Sequence, residues 1–177
     1  MGRPCVFFDR DGIVNEPPDP EPYVVGTDRF RLLPDFVRVL RIVSSRGYPA
    51  VIVTNQRGIA LGRMTEADVD RIHDVLQASL AEDGLTLLDI YVCPHDDDDH
   101  PWRKPNPGML EAAARDHDLD LSASWMIGDS ERDIAAGRRA GCRTIRVAAD
   151  AVSTAADVHV DDMAGLVEYL EGHLPPA

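Results

Sequence analysis

Short apolar runs alternate with helical hydrophobic patterns along most of the chain. Runs such as PCVFF (4–8) and YPAVIVTN (48–55) are bounded by turn residues, which predicts buried strands. In TEADVDRIHDVLQASLAEDG (65–84), apolar residues recur at helical spacing after a Thr that suits a helix N-cap. The predicted strands are 4–8, 48–55, 87–93, 123–129, 142–149 and a weaker 158–160, and the predicted helices are 34–47, 65–84, 107–118, 130–141 and 161–174.

This order of elements predicts an α/β fold, a doubly wound and mostly parallel sheet with helices on both faces. No internal repeat or linker divides the chain, so we expect residues 1–177 to form a single domain. A long proline-rich excursion, NEPPDPEPYVVG (15–26), follows the first strand. Because ligands of such folds bind beyond the carboxyl ends of the strands, the residues that follow each strand are the candidates for function.

Composition narrows the classes of function. The chain has 177 residues and a net charge of −13, which argues against nucleic acid as a general partner but allows a small anionic substrate. Its three cysteines are widely spaced and odd in number, which favours a reducing compartment. No apolar run is long enough to span a membrane, and the start, MGRPCVFFDRDG, does not resemble a signal peptide. We expect a cytoplasmic monomer that binds neither nucleic acid nor membrane.

Polar residues suited to phosphate chemistry follow four of the predicted strands. FFDRDG ends the first, TN ends the second, a loop that closes with RK follows the third, and GDSERD ends the fourth. The side chains that converge on one sheet edge are Asp9, Asp11, Thr54, Asn55, Arg103, Lys104, Asp129 and Asp133. Lys104 is the only lysine among 18 basic residues, which suggests a specific use for a compact ammonium group.

This set of side chains suits phosphoryl transfer through an aspartyl-phosphate. A carboxylate such as Asp9 can attack phosphorus, and a second carboxyl at Asp11 can protonate the leaving alkoxide and then activate water. Because both reactants are anionic, a hard cation such as Mg²⁺, bound by Asp9 and Asp129, is needed to neutralise them. Thr54 can donate a hydrogen bond to the phosphoryl oxygens, and Lys104 supplies a point charge.

Longer strings resemble a known superfamily. FFDRDGIVNE, VTNQRGIALG, CPH, RKPNPGM and IGDSERDI are similar to motifs of the haloacid dehalogenase-like phosphatases, in the branch that holds heptose-bisphosphate and histidinol-phosphate phosphatases. The resemblance implies a Rossmann-like fold and a Mg²⁺-dependent phosphoric monoester hydrolase. It implies that Asp9 is the nucleophile and Asp11 the acid/base, and that Thr54, Asn55 and Lys104 bind phosphate. It also implies that Asp9, the Asp11 carbonyl and Asp129 bind Mg²⁺ with support from Asp133, and that Arg103 contacts substrate.

The spacing of these motifs leaves no room for a separate cap domain. Only 44 residues lie between Asp9 and Thr54, and 49 lie between Thr54 and Lys104. Each interval is filled by one helix and its loops. We therefore expect the pocket to be shaped by three loops, at 15–26, 57–63 and 93–103.

Two substrates stay open at this point, with another small sugar phosphate behind them. Heptose 1,7-bisphosphate is favoured by VTNQRGIALG, and Arg57 and Arg63 could serve its second phosphate. Histidinol phosphate is nearly as well supported, because the acidic run at 96–99 suits a cationic amine. A phospho-accepting signalling receiver would need its phosphorylated Asp at the end of the third strand, and that strand ends instead in CPH (93–95).

The loop CPHDDDDHPW (93–102) leaves two interpretations. Enzymes of the resembled branch often hold a structural zinc through Cys-x-His and a later Cys-x-Cys, which makes Cys93, His95 and His100 candidate zinc ligands. Trp102 stands where a fourth ligand is expected, and structural zinc prefers a closed set of four. The interpretation that we favour is a shortened loop without zinc, whose four aspartates are solvated.

Overall fold

A single six-stranded sheet forms the centre of the protein. The computed structural model describes residues 2–149 and 153–177. All strand pairs are parallel, and the strand order is β3-β2-β1-β4-β5-β6. The strands are β1 Val6–Phe8, β2 Ala50–Asn55, β3 Asp89–Cys93, β4 Trp125–Gly128, β5 Arg143–Val147 and β6 Val158–Val160. The helices are α1 Pro34–Ser45, α2 Glu66–Glu82, α3 Gly108–His117, α4 Glu131–Ala140 and α5 Met163–His173, with a 3₁₀ turn at Leu121–Ala123.

The doubly wound fold predicted from the sequence is confirmed, and most strands are two or three residues shorter than predicted. Helices cover both faces of the sheet. Apolar side chains of α1, α2 and α5, such as Phe36, Leu76 and Leu170, pack on one face. Those of α3 and α4, such as Met109 and Ala136, pack on the other. Strands buried on both faces need near-continuous apolar runs, which explains the runs in the sequence.

The connections between these elements carry no cap domain. Between β1 and α1, residues 9–33 form turns, bends and isolated bridges, but no strand or helix. The segment after β2, 56–65, is likewise without regular elements. No helix within residues 2–149 and 153–177 is long and apolar enough to cross a membrane.

The strand order places a topological switch point at β1. The chain runs from β1 outward to β2 and β3, and then returns to the other side of β1 with β4. Val6–Phe8 is therefore flanked in register by β2 on one side and β4 on the other. A crevice opens beyond the carboxyl ends of strands at such a point, and it is the usual ligand site of this architecture.

Candidate active site

The carboxyl ends of three adjacent strands deliver the predicted site residues. Asp9 follows β1 directly, Asp129 follows β4, and Thr54 is the next-to-last residue of β2. The backbone N–H of Asp9 donates to the Ile127 carbonyl at 2.9 Å, which keeps the chain after β1 beside the end of β4. Parallel pairing thus brings together side chains that lie more than a hundred residues apart in the sequence.

Lys104 lies at the centre of this group of side chains. Its Nζ donates to Asp9 Oδ1 at 2.7 Å, to Asp133 Oδ1 at 2.6 Å and to the Val53 carbonyl at 2.8 Å. The side chain is only 3% exposed. An ammonium has three N–H donors and no acceptor, so each donor here has one oxygen partner. The geometry explains why a lysine stands here in a chain that otherwise uses arginine.

Asn55 holds the backbone of Lys104 in place. Its Nδ2 donates to the Lys104 carbonyl at 3.0 Å, and its Oδ1 accepts from the Lys104 N–H at 3.1 Å. The amide expected to bind phosphate is therefore engaged with the lysine backbone. The structure thus shows the Asn55 side chain as a support for the Lys104 backbone.

Asp133 is fixed by the start of α4. Its Oδ2 accepts from the Ser130 N–H at 3.1 Å and from Ser130 Oγ at 2.8 Å, which is a capping box. Its Oδ1 faces Lys104. With both oxygens engaged and 1% of the residue exposed, Asp133 orients the ammonium, as expected for a supporting residue.

The cluster carries excess negative charge. Burial, together with the charge of Asp133, raises the pKa of Asp9 to about 8, even though Lys104 opposes the shift. The same two causes raise the pKa of Asp129 to about 6. Burial lowers the pKa of Lys104, but the carboxylates of Asp133 and Asp9 outweigh it, so its pKa rises above the ordinary value and the ammonium stays charged.

A bound cation would offset the excess of negative charge in this cluster. Among residues 2–149 and 153–177, Asp9, Asp129 and Asp133 are the one group of His, Cys, Asp or Glu whose ligand atoms lie within 4.8 Å of one another. Three carboxyls, one buried at Asp133 and two half-buried at Asp9 and Asp129, face a single ammonium, and hard divalent cations prefer such oxygen ligands. Because Asp133 is engaged with Ser130 and Lys104, Asp9 and Asp129 are the carboxylates best able to hold a metal.

Gly12 allows Asp129 to approach the loop after β1. Its φ is +89°, and a Cβ at this position would lie 2.1 Å from Asp129 Oδ2. Real Cβ atoms do not tolerate such a contact, so any side chain would displace Asp129. The glycine of the Asp-x-Asp-Gly string is thus required both by its backbone conformation and by its neighbour.

Asp11 is held by polar side chains that the sequence analysis did not single out. Asn15 Nδ2 donates to its Oδ1 at 2.9 Å, and Gln56 Nε2 lies 3.3 Å from its Oδ2. Gln56 also donates to Thr54 Oγ1 at 2.8 Å, which leaves the Thr54 hydroxyl proton available for another acceptor. Arg10 pairs with Asp11 as well, at 3.0 Å. Gln56 directly follows the Thr-Asn motif, and Arg10 lies inside the Asp-x-Asp-Gly motif. This proximity was the sequence signal that could have indicated their contact with Asp11.

The ligand atoms of the three candidate zinc residues are not gathered into one cluster. Cys93, His95 and His100 are all described, yet they are not among the clustered ligand groups. His100 Nδ1 accepts a hydrogen bond from the Trp102 N–H at 3.1 Å, and the two histidine rings stack with centroids 3.9 Å apart. The zinc interpretation of this loop is therefore not supported by the arrangement of its side chains.

The four aspartates of the acidic run are exposed, as expected for a solvated loop, and two of them also pair with arginines. Arg103, whose side chain is 3% exposed, donates from Nε to Asp98 Oδ1 at 2.8 Å and from Nη1 to the His95 carbonyl at 3.1 Å. Arg57 Nε lies 3.1 Å from Asp96 Oδ1. Two of the three arginines predicted to contact substrate are thus engaged with aspartates of the loop, Arg103 in a buried position and Arg57 in an exposed one.

A surface cavity lies between two of the expected pocket loops. Its volume is about 670 Å³, and its lining includes Tyr23 and Val25 of the first loop and Leu61 and Arg63 of the second. Arg29 adds a second guanidinium to the lining. Asp9, Asp11, Lys104 and Asp129 are not among its lining residues, so the cavity is distinct from the crevice beyond β1.

Comparison with known proteins gives the family. A family model described as "HAD-hyrolase-like" matches residues 101–169. D-glycero-alpha-D-manno-heptose-1,7-bisphosphate 7-phosphatase of Burkholderia mallei is 35% identical over 193 residues, covering 100% of this chain and 98% of the relative. D-glycero-beta-D-manno-heptose-1,7-bisphosphate 7-phosphatase of Escherichia coli K12 is 33% identical over 193 residues, covering 98% of this chain and 97% of the relative.

A solved structure agrees with these relatives. D,D-heptose 1,7-bisphosphate phosphatase from B. bronchiseptica, complexed with magnesium and phosphate, matches with a TM-score of 0.85 at 32% identity, covering 96% of this chain and 98% of that one. The family, fold and enzyme class expected from the motifs are therefore confirmed. With identities of 33% to 35% across nearly the full length of two relatives, the chain belongs to the haloacid dehalogenase-like family and is one of its phosphatases.

Proposed function

We propose that the protein is a Mg²⁺-dependent phosphomonoesterase that removes the 7-phosphate of D-glycero-D-manno-heptose 1,7-bisphosphate through an aspartyl-phosphate. The observation that carries the proposal is the ammonium of Lys104 between Asp9 and Asp133 at the switch point of the sheet, with Asp11 two residues from Asp9. The substrate comes from the names of the relatives, which share nearly the whole chain length.

Asp9 is the proposed nucleophile. One oxygen is fixed by Lys104 at 2.7 Å, which orients the carboxylate toward the crevice beyond β1. The ammonium also neutralises part of the charge of an arriving phosphate, while the Thr54 hydroxyl donates to a phosphoryl oxygen. Attack by Asp9 forms the P–O bond of an aspartyl-phosphate and breaks the bond from phosphorus to the sugar oxygen.

Asp11 is the proposed acid and base. It gives its proton to the departing sugar alkoxide, and the resulting carboxylate then takes a proton from the water that attacks the aspartyl-phosphate. That hydrolysis releases inorganic phosphate and restores Asp9. Asn15 and Gln56 each donate one hydrogen bond to the Asp11 carboxyl.

Mg²⁺ is the proposed cofactor, bound by the carboxylates of Asp9 and Asp129 and by the Asp11 carbonyl. When bound, it neutralises the carboxylates and stabilises negative charge on the phosphoryl group. The fit rests on the ligand atoms clustered within 4.8 Å and on the excess of buried negative charge. The structure of the B. bronchiseptica relative, which contains magnesium and phosphate, supports the same assignment.

The 1-phosphate needs a second anion site, and the loop cavity offers one. Arg63 and Arg29 line it together with Glu21, and Arg63 was one of the two residues expected to serve this phosphate. The other, Arg57, is paired with Asp96, which makes it a weaker candidate. We therefore assign the distal phosphate to Arg63, assisted by Arg29.

The acidic loop was the reason to consider histidinol phosphate. Because Asp96 and Asp98 pair with Arg57 and Arg103, these two carboxylates are partly neutralised and attract a cationic amine less than the sequence suggests. Histidinol phosphate stays in the test as the alternative substrate. The relatives carry both alpha and beta names, so the anomer is also part of the test.

The deciding experiment is phosphate release with Mg²⁺ across both anomers of heptose 1,7-bisphosphate, heptose 7-phosphate and histidinol phosphate. We expect the highest kcat/KM for one bisphosphate anomer. Asp9→Asn should abolish release with an unchanged circular dichroism spectrum, and retained turnover would refute the mechanism. A preference for histidinol phosphate would overturn the substrate assignment and leave the phosphatase mechanism intact.

The distal site has its own test. Arg63→Gln should raise KM for the bisphosphate and leave KM for heptose 7-phosphate unchanged, because only the former carries a 1-phosphate. Arg115→Gln is the matched control, since Arg115 is an exposed arginine on α3 whose side chain is 72% accessible. Equal effects of Arg63→Gln on the two substrates would argue against the cavity as the second anion site.

A further inference from the structure

The arginine between the two catalytic aspartates is completely buried. Arg10 is 0% exposed and is among the largest fully buried side chains of the described chain. Arginine is almost never fully buried unless it is paired, because removing its charge from water is costly. Its partners therefore indicate what this residue does.

One side of the guanidinium forms a fork on Asp11. Nε donates to Asp11 Oδ1 at 3.1 Å, and Nη2 donates to Asp11 Oδ2 at 3.2 Å. Among the residues that the structure describes, Asp11 is the acidic partner of Arg10. A two-point fork fixes the plane of a carboxylate, which a single hydrogen bond from Asn15 or Gln56 does not.

The other side of the guanidinium meets His73 of α2, 63 residues away in the sequence. Arg10 Nη1 lies 3.2 Å from His73 Nε2. A guanidinium only donates, so Nε2 must be the acceptor and the ring proton must be on Nδ1. Burial and the charge of Arg10 lower the pKa of His73 to about 4, which keeps the ring neutral near neutral pH.

We propose that Arg10, held from behind by the neutral ring of His73, is a positioning residue that sets the orientation of the Asp11 carboxyl for proton transfer to the leaving alkoxide. The inference rests on the proposed function, since it concerns the acid of that reaction. Helix α2 thereby contributes to catalysis, although the phosphate-site residues named above all lie outside it. Without the acceptor at His73, Nη1 loses its partner and the fork can rotate away from Asp11.

A purely structural role is the competing explanation, and the identity of the leaving group separates the two. Sugar alkoxides are poor leaving groups and need a proton, whereas p-nitrophenolate leaves without one. kcat/KM reports the steps up to phosphoryl transfer. A misplaced acid therefore lowers kcat/KM for a sugar phosphate far more than for p-nitrophenyl phosphate, whereas a loss of folded protein lowers both equally.

Two variants of His73 test the proposal. His73→Leu keeps the bulk of the side chain but removes the acceptor, and His73→Gln keeps an acceptor oxygen near the place of Nε2. We expect His73→Leu to lower kcat/KM for heptose bisphosphate by about tenfold, part of the ~10²–10⁴ that acid–base catalysis supplies. It should have little effect on p-nitrophenyl phosphate, and His73→Gln should stay near wild type on both.

Equal losses on the two substrates, or a His73→Gln variant as impaired as His73→Leu, would overturn the inference. A wild-type enzyme inert toward both phosphates would instead overturn the proposed function. The contact is then tested without turnover, by long-range ¹H–¹⁵N NMR of the histidine tautomer at neutral pH. A His73 ring protonated at Nε2 would refute the inference, and a ring protonated at Nδ1 would support it.

Discussion

Lys104→Arg is the most informative single change, because it preserves the charge and alters only the shape of the cation. The ammonium has three donors and three oxygen partners, on Asp9, Val53 and Asp133, at 2.6 to 2.8 Å. A guanidinium is planar and carries five donors. With only 3% of the Lys104 side chain exposed, the extra atoms have no solvent to enter.

Two costs follow from this geometry. Arginine cannot place one donor on each of the three oxygens, so the fixed geometry of Asp9 is lost. Loss of one preorganised donor at a charged transition state typically lowers kcat by ~10²–10³. The added volume strains a closed site by ~1–3 kcal/mol. In a protein of this size, each kcal/mol corresponds to ~2–4 °C in Tm.

The assay combines steady-state phosphate release at saturating Mg²⁺ with thermal unfolding. The matched control is Arg115→Lys, the reverse exchange at an arginine whose side chain is 72% exposed. It should leave kcat and Tm unchanged. A Lys104→Arg enzyme with wild-type kcat would show that the reaction needs only a positive charge at this position, and would refute the argument from shape.

Three further predictions concern the metal and the loops. Gly12→Ala should abolish Mg²⁺ binding measured by calorimetry, because the new methyl displaces Asp129; unchanged affinity would contradict this. In the metal-free protein, the pKa values of Asp9 and Asp129 rise from 3.8 to about 8 and about 6, so the protonated forms stabilise the fold. Tm should therefore fall from pH 6.5 to pH 8, above the range in which the lowered pKa of His73 acts in the opposite direction, and the Tm gain with Mg²⁺ should grow over that range; a flat profile would contradict it. Elemental analysis should find less than one zinc per chain, and stoichiometric zinc would reinstate Cys93 as a ligand.

The fold and the core of the site could be predicted because both depend on local signals. Strands buried on both faces are continuous apolar runs, and in a parallel sheet their carboxyl ends meet at one edge. Asp9 and Asp129 directly follow such runs and Thr54 lies near the end of one, so their convergence did not depend on any detail of packing. Lys104 stood out by composition, and its three contacts explain that signal.

The supports of the site could not be predicted, because they depend on contacts between distant elements. Arg10 gives no sequence sign of burial, since arginine is usually exposed. His73 has the spacing of an ordinary helical residue, and only the packing of α2 brings it within 3.2 Å of Arg10. The contact of the Asn55 side chain with the Lys104 backbone was missed for the same reason, because the loop that returns to this side chain begins almost forty residues later.

The acidic composition of the chain is a poor guide to the charge that a substrate meets. Beyond ~10 Å, exposed charges are largely screened at 0.1 M salt, so most of the net charge of −13 does not act at the crevice. Nearby, Asp96 and Asp98 are paired with Arg57 and Arg103, and this pairing reduces the local excess of negative charge. The acidic loop therefore does not argue against a bisphosphate. In the proposed function, the cations that act on the substrate are the ammonium beside Asp9 at one end and the guanidinium groups of the loop cavity at the other.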